Sequence, residues 1–363
     1  MNQLGPGLAT HVYDYSADPR LLLGSLAAPI RRLSNPGTPV VHVRRGWLHG
    51  SHLVVTARPL RGVPVDLDAF TANAGDLASR LDASPPSEQA YLARAEQLAV
   101  SENVSAPPLP LYPQGFTTVG TPSRPEGWSD QLLDTRDLLT SALLEPVLDS
   151  TALAPEALLP HAARVLALAA LAHPFGIGIA TLSMRSHTEG IWSATGGTLD
   201  LRTEFTERFE RDRDLFLAAF SGLTAAGLAD DEAALLRSWD RALHRCRGTA
   251  AALTAVGAVD ETHLSAASLR EAPLSNGVPS PFHRAARLLG VGGDEPQPYW
   301  HIAQRMVLNV LYSAFSCLGI SPIQRYYLCF GTSMAADALL GEDWSERLEQ
   351  VGRLVRNNLA ATG

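Results

Sequence analysis

The hydrophobic pattern shows two short β-branched runs in the early part of the chain, "PVVHV" (39–43) and "HLVVTAR" (52–58). A basic turn that contains glycine separates these runs, so residues 38–60 predict a β-hairpin or a pair of neighbouring strands. The next segments, 66–81 and 87–100, carry apolar residues at helical spacing, and each opens with aspartate or serine in a capping position. The first part of the chain therefore combines strands with helices.

Beyond residue 128 the spacing of apolar residues is mostly helical. Helices are predicted over 129–148, 155–172, about 203–226, 231–256, 299–317, 321–340 and 343–360. Two passages rich in proline, glycine and serine, 105–128 and 265–298, are predicted to be long loops. The expected fold class is α+β, with early antiparallel strands and a predominantly helical remainder.

The stretch 165–182 approaches the length of a membrane span, but His173, Pro174 and glycines interrupt it. It predicts a buried helix that ends near His173. The N-terminus lacks the basic-then-apolar pattern of a signal peptide, and the widely spaced cysteines form no CxxC pair. These cysteines are Cys246, Cys317 and Cys329. A reduced, cytoplasmic protein without membrane association is expected.

Composition narrows the possible chemistry. Hydrophobic residues make up 46% of the chain and charged residues 18%, with a net charge of −8, which is typical of a mildly acidic globular protein. Nucleic acid is not an expected partner, because phosphate neutralisation needs a clustered positive surface. All 29 basic residues are arginine. The absence of lysine excludes a P-loop lysine, an internal pyridoxal Schiff base and lysine general-base catalysis.

Generic catalytic and metal motifs are incomplete. "GIGIAT" (176–181) lacks the third small residue of a dinucleotide fingerprint, and "GTSMA" (331–335) lacks the closing glycine of a nucleophile elbow. Both motifs are expected to serve packing. No carboxylate or cysteine joins His42, His49 and His52 at ligand spacing, so no metal site is predicted.

Residues 183–192, "SMRSHTEGIW", concentrate polar groups beside the most apolar part of the chain. One interpretation is a helix terminus in which Ser186 caps the helix while Arg185 and Glu189 pair on the surface. The other is the wall of a pocket that holds His187. The stretch alone leaves both open.

A second polar cluster lies on the predicted helix 299–317. Its polar members are Tyr299, His301, Gln304, Arg305 and Asn309. Positions 301, 305 and 309 are four apart and share one helix face. Such a stripe is either a solvated face or the lining of a cleft. A third polar stretch, "RRGWLHGSHL" (44–53), is a basic and aromatic turn.

Four stretches together resemble a known family. "RRGWLHGSHL" (44–53) is similar to an R-x-x-G-P-H strand region, "YPQGFTTVG" (112–120) to Y-x-P-E-x-x-R-Y-G, and "SMRSHTEGIW" (183–192) to S-x-R-S-H-x-E-A. "YWHIAQRMVLNVLYSAFSCLGISPIQ" (299–324) is similar to a closing H-M-x-x-N-R helix. In this order they resemble the thiopeptide-type bacteriocin biosynthesis family. That family contains the elimination domains of class I lanthipeptide dehydratases and the thiopeptide pyridine synthases, which implies one elimination-domain-like catalytic domain over 1–363.

Departures from the family pattern favour one branch. Gln114 stands where the eliminase-like motif has glutamate, Thr118 stands where it has arginine, and the G-P-H triplet reads Gly50-Ser51-His52. Removal of glutamate from a glutamylated serine needs cations for the departing carboxylates and a base for the α-proton. The loss of these polar positions puts elimination in doubt and fits the pyridine-synthase branch.

The resemblance then implies a formal aza four-plus-two cycloaddition between two dehydroalanines, followed by loss of water and of the leader peptide. It assigns acid/base catalysis to His187, oriented by Glu189 or Ser186, and hydrogen-bond donation to Tyr299. The residues expected to bind the substrate are Arg185, Trp192, His301, Gln304, Arg305, His52 and Arg45.

The expected partner is a modified precursor peptide with its leader, and assembly as a homodimer is left open. The leader is expected to add to a sheet edge within 38–60. The implied chemistry requires no cofactor. Two alternatives stay open: a glutamate-eliminating subunit of a split dehydratase, and a non-catalytic peptide-binding protein.

Overall fold

The chain forms two compact units. The computed structural model describes residues 4–102, 105–122, 128–194, 200–221, 230–259, 280–291 and 297–362. The first unit comprises Met1–Ala152 and Val310–Ile320, and the second comprises Leu153–Asn309 and Ser321–Gly363. The α+β class predicted from the sequence is confirmed, because the described strands all lie in the first unit.

The first unit is built on one antiparallel sheet. Its elements in chain order are β1 (Leu8–Tyr13), α1 (Arg20–Leu33), β2 (Val40–Gly46), β3 (His52–Arg58), α2 (Asp68–Ser79), α3 (Glu88–Glu102), β4 (Thr117–Gly120), α4 (Asp130–Ala142) and α5 (Leu144–Ser150). The strand order is β2-β3-β1-β4. The predicted hairpin over 38–60 is confirmed, with Val40 opposite Arg58 and Gly46 opposite His52.

Helix α4 packs on the β2 side of this sheet. His42 on β2 is fully buried, and its Nε2 lies 3.2 Å from Oδ1 of Asp137 on α4. The Val41 N–H donates to Ser141 Oγ of α4 at 3.3 Å. Since β3 is paired on both sides, strand addition within 38–60 would have to use the β2 edge, which α4 contacts.

All secondary-structure elements described in the second unit are helices. Its helices are α6 (Pro155–Leu171), α7 (Gly176–Ala194), α8 (Arg202–Ser221), α9 (Asp230–Ala255), α10 (Pro281–Leu288), α12 (Pro322–Leu340) and α13 (Trp344–Thr362). Helix α11 (Tyr299–Cys317) begins in the second unit and ends in the first. None of the described helices is both long and apolar enough to cross a membrane.

Three predicted elements differ from the structure. The predicted loop 105–128 contains β4, which pairs antiparallel with β1. The single helix predicted over 129–148 is divided between α4 and α5, because Pro146 has no N–H to donate to the Ala142 carbonyl. Within the predicted loop 265–298, α10 forms because Ser280 caps it and Pro281 occupies its first turn. Residues 265–279 and 292–296 of that predicted loop lie outside the described residues.

A close helix crossing positions α8 against α12. A side chain at Gly331 would place its Cβ 2.2 Å from Cζ of Phe216, so only glycine allows this approach. Phe216 is itself buried and packs edge-on against Tyr327, with ring centroids 5.6 Å apart. Gly248 lies in the interior of α9, and a Cβ atom added there would meet no other atom within 4 Å.

We expect the Gly331→Ala variant to lose about 1–3 kcal/mol of unfolding free energy, because the added methyl overlaps the Phe216 ring. Gly248→Ala is the matched control and should gain about 0.5–1 kcal/mol, since alanine is the better helix former. Urea unfolding of both variants, followed by circular dichroism, measures the difference. Equal stability of the two variants would contradict the packing described.

Candidate functional site

The polar stretch 183–192 lies inside α7. Because the helix begins at Gly176, ten residues before Ser186, that serine cannot cap it. The capping interpretation is therefore wrong. The helix predicted from the apolar stretch 165–182 ends at Leu171, and α7 starts after a short turn, so the polar residues belong to a second helix.

Arg185 and Glu189 are paired with each other on α7. Arg185 Nε lies 3.5 Å from Glu189 Oε1, and its Nη1 lies 3.5 Å from Oδ2 of Asp337 on α12. The guanidinium also stacks over the Trp344 ring at 5.3 Å. Glu189 is only 6% exposed and Arg185 is partly buried, so the pair does not lie on the open surface. Burial lowers the pKa of Arg185, an effect that Glu189 opposes.

Asp337 is shared with a second arginine. Arg347, on α13, is 1% exposed and pairs with Asp337 through its Nη2. Its Nη1 donates to the Gly178 carbonyl at 2.7 Å and to Thr181 Oγ1 at 2.8 Å, both on α7. Burial, together with the charge of Arg185, lowers the pKa of Arg347 to about 10. These contacts connect α7, α12 and α13.

His187 stacks on Tyr326 of α12. The ring centroids are 4.7 Å apart and the planes differ by 26°. Burial, with a contribution from the charge of Arg325, lowers the pKa of His187 to about 3. A free imidazole titrates near neutral pH, which is why acid/base catalysis was expected of His187. In the folded protein this imidazole is instead held in its neutral form at pH 7.

Ser186 contacts a histidine that the sequence analysis did not identify. Its Oγ lies 3.1 Å from Nε2 of His283 on α10. His283 Nδ1 in turn lies 3.2 Å from Oγ of Ser280, the α10 cap. A serine followed by proline ahead of apolar residues at helical spacing could have indicated α10. No sequence signal could have placed His283 beside Ser186, which lies 97 positions earlier.

The polar residues of α11 differ in how far they are exposed to solvent. Tyr299 is 52% exposed at the start of the helix. Burial, with the charge of Arg305, lowers the pKa of His301 to about 4. Gln304 is 1% exposed, and its Oε1 accepts a hydrogen bond from Nη2 of Arg247 on α9. Gln304 therefore belongs to the interior rather than to the stripe of His301 and Arg305.

Trp192 lies in the core of the second unit. It is buried, with Phe330 of α12 edge-on at 6.3 Å between ring centroids. The guanidinium of Arg202 stacks over the indole at 5.3 Å. The ring faces that could stack on a substrate are thus largely used within the fold.

The first unit contains a separate histidine cluster. Arg45 donates to Ser51 Oγ, and burial lowers its pKa. His52 is buried, with Nδ1 2.8 Å from the Gly50 carbonyl and Nε2 3.1 Å from Nδ1 of His11. Because a carbonyl only accepts, Nδ1 of His52 carries the proton, and His11 must donate to Nε2. Burial and the neighbouring His11 lower the pKa of His52 to about 3.

Glycines fit tightly around this cluster. A Cβ at Gly46 would lie 2.1 Å from Nε2 of His52, and one at Gly50 would lie 2.0 Å from the Tyr15 hydroxyl. The turn between β2 and β3 is thus shaped around the two side chains. Among the described residues, no group of three His, Cys, Asp or Glu side chains could hold a metal ion.

Gln114 is fixed by three hydrogen bonds. Its Oε1 accepts the Tyr15 N–H at 2.8 Å, while its Nε2 donates to the Ala78 carbonyl at 2.8 Å and to Asp14 Oδ1 at 3.2 Å. A carboxylate could not make the two donations. Thr118 lies on β4 opposite His11. The two positions that depart from the eliminase-like motif are therefore both built into the sheet region.

Comparison with known proteins gives matches by structure alone. No protein-family model matches the sequence, and no curated protein matches it at a significant level. The pyridine synthase TbtD, from thiomuracin biosynthesis, matches with a TM-score of 0.65 at 20% identity, over 93% of this chain and 99% of that chain. This chain has the fold of a pyridine synthase. The resemblance stated from the four sequence motifs is confirmed at the level of fold.

Two further solved structures match. TsrL gives a TM-score of 0.56 at 14% identity, over 95% of this chain and 98% of that chain. The tRNA-dependent lantibiotic dehydratase MibB from Microbispora sp. 107891 gives 0.49 at 14% identity, over 93% of this chain and 28% of that chain. The TbtD and TsrL matches thus each extend over nearly all of both chains.

The Gln114→Glu variant restores the residue type of the eliminase-like motif. It should destabilise the protein by about 1–3 kcal/mol at pH 7, because the new carboxylate lies beside that of Asp14 and the Ala78 carbonyl loses its donor. Repulsion from Asp14 raises the pKa of the introduced carboxyl in the folded state, so part of the loss should disappear as the pH falls through that pKa. Thermal unfolding across pH measures it. The exposed Gln131→Glu variant is the control, and equal behaviour of the two would contradict the assigned hydrogen bonds.

His187 should contribute to acid sensitivity. Its folded pKa of about 3 lies below the ordinary value of 6.5, so the unfolded chain binds the proton first and stability falls as the pH drops from 6.5 towards 3. The His187→Phe variant keeps a ring against Tyr326 and should lose less stability over this interval, by at most about 1.4 kcal/mol per pH unit. Urea unfolding at several pH values tests this, with the exposed His244→Phe as control. Identical slopes for His187→Phe and wild type would refute it.

Proposed function

We propose that this protein is a pyridine synthase of thiopeptide biosynthesis that acts on a modified precursor peptide. The observation that carries the proposal is the match to TbtD, which extends over 93% of this chain and 99% of that one. Because one fold can host different chemistries, the proposal also draws on the site residues. Gln114, held as an amide by three hydrogen bonds, supports a synthase rather than an eliminase.

The proposed reaction joins two dehydroalanines of one peptide. An amide tautomerises to its iminol and acts as a 2-azadiene, and the second dehydroalanine adds to it in a formal four-plus-two step. Loss of water and of the leader as an amide then gives the pyridine macrocycle. Much of the barrier is orientational, and holding the two parts of the peptide together can contribute about 7–11 kcal/mol.

Proton transfers are needed for tautomerisation and for both losses. Ser186 and His187, which are adjacent on α7, are proposed to carry out these proton transfers. The exposed phenol of Tyr299 is proposed to donate a hydrogen bond to a developing oxyanion or to the leaving hydroxyl. His301 and Arg305 are proposed to bind peptide carbonyl groups. Arg45 and His52 stay proposed substrate-binding residues of the first unit.

The engagement of arginines also argues against elimination. An eliminase needs cations that are available to the departing glutamate carboxylates. Arg185 and Arg347 are instead directed at Asp337, and Arg185 is also paired with Glu189. The positive charges of these two arginines are therefore neutralised by Asp337 and Glu189 within the fold, which supports cycloaddition over glutamate release.

Incubation of the protein with a bis-dehydroalanine precursor peptide, followed by mass spectrometry, tests the proposal. A pyridine synthase should release the intact leader as an amide and give a macrocycle that has also lost water. The Tyr299→Phe variant should lower the rate by about 10²-fold if the phenol acts as a donor in the transition state. Release of glutamate from a glutamylated peptide, or binding without conversion, would overturn the proposal.

A further inference from the structure

A hydroxyl, an imidazole and a second hydroxyl form a continuous chain in the second unit. Ser186 Oγ, on α7, lies 3.1 Å from His283 Nε2, and His283 Nδ1 lies 3.2 Å from Ser280 Oγ. The Ser280 oxygen also accepts the backbone N–H of His283 at 3.2 Å. The inner end of the chain is therefore fixed at the α10 cap.

Hydrogen-bond chemistry allows two arrangements of this chain. A neutral imidazole has one donor and one acceptor nitrogen. In one arrangement Ser186 donates to Nε2 while Nδ1 donates to Ser280, and in the other all directions are reversed. Both arrangements keep the two hydrogen bonds of the imidazole, so the ring can accept a proton at one nitrogen and return it without losing either contact. That property is what a proton relay requires.

Packing sets the approach of the two helices. Leu182, one turn before Ser186, belongs to the same buried cluster as Phe282 and Ala286, which flank His283 on α10. Ser280 is buried, whereas Ser186 and His283 are only partly buried. The hydrogen-bond chain thus runs from a buried serine to one that is partly exposed. Burial and the nearby charge of Arg287 lower the pKa of His283, which favours its neutral, proton-accepting form.

We propose that Ser186 contacts the substrate amide and that His283, acting through Ser186, accepts and returns the proton of the amide–iminol tautomerisation. This inference rests on the proposed function and adds His283 to it as a positioning residue. In the first step the amide N–H bond breaks, Ser186 Oγ takes that proton, and the serine passes its own proton to Nε2. The proton then returns by the same path to the amide oxygen. The net change is one proton moved from nitrogen to oxygen, with both side chains restored.

Steady-state kinetics with the bis-dehydroalanine peptide test the pair. Ser186→Ala and His283→Gln should each lower kcat by about 10²- to 10⁴-fold with little change in KM, since the pair acts on the reaction rather than on binding. The double variant should be no slower than the slower single variant, because the two residues act as a unit. Ser25→Ala, another serine inside a helix, and His244→Gln, an exposed histidine, should keep the wild-type kcat.

A second measurement is independent of turnover. The ¹⁵N resonances of the His283 imidazole report its tautomer, so Ser186→Ala should change them and Ser25→Ala should not. Unchanged resonances in Ser186→Ala would overturn the contact. Wild-type kcat in a folded His283→Gln variant would overturn the relay and leave the proposed function standing. If the ¹⁵N resonances of His283 respond to Ser186→Ala as expected but the wild type does not convert the peptide, the proposed function is overturned, and the assigned tautomerisation with it.

Discussion

The buried pairing of Arg347 with Asp337 determines how the helices of the second unit meet. An ionised guanidinium in the interior is stable only when its charge and its N–H groups are satisfied. Here Asp337 on α12 supplies the charge, and the Gly178 carbonyl and Thr181 hydroxyl on α7 accept the hydrogen bonds. One side chain of α13 therefore fixes the position of two other helices. The orientation of α7, and with it the direction of its polar residues, depends on this contact.

The same carboxylate limits what the rest of α7 can do. Asp337 also attracts Arg185, which in turn pairs with Glu189, so two of the four polar groups in the stretch are engaged with the fold. Ser186 and His187, the other two, have different partners, and they are the residues proposed to transfer protons. Their environments differ, because His187 stacks on Tyr326 of α12 while Ser186 contacts His283 of α10. Location within the helix packing, rather than residue type, therefore decides which partners each polar side chain of the stretch has.

Local sequence patterns predicted the elements whose signal is local. The hairpin over 38–60 was found because two β-branched runs flank a turn, and most helices were found from their spacing. Strand β1, "LATHVY", has no such signal, and its conformation depends on pairing with β3 and β4. The four residues of β4 are too few to show a period. These strands become evident only once the sheet is assembled.

The candidate site was predictable only in part, because sequence patterns show which residues are close along the chain and not which are close in space. Arg185, Ser186, His187 and Glu189 were identified because they are adjacent in sequence, yet their partners Asp337, His283 and Tyr326 come from distant helices. Spacing cannot show such contacts.

Gln114 illustrates how a fold and its chemistry separate. Its amide bridges the Tyr15 N–H, the Ala78 carbonyl and Asp14, so the residue that departs from the eliminase-like motif also supports the packing around β1 and α2. A glutamate at this position would lose both donors and face the carboxylate of Asp14. Recovery of an eliminase-like charge at this place would therefore require changes in its neighbours as well. The departure at Gln114 is part of a locally consistent arrangement, which is why it carries weight in the choice between elimination and cycloaddition.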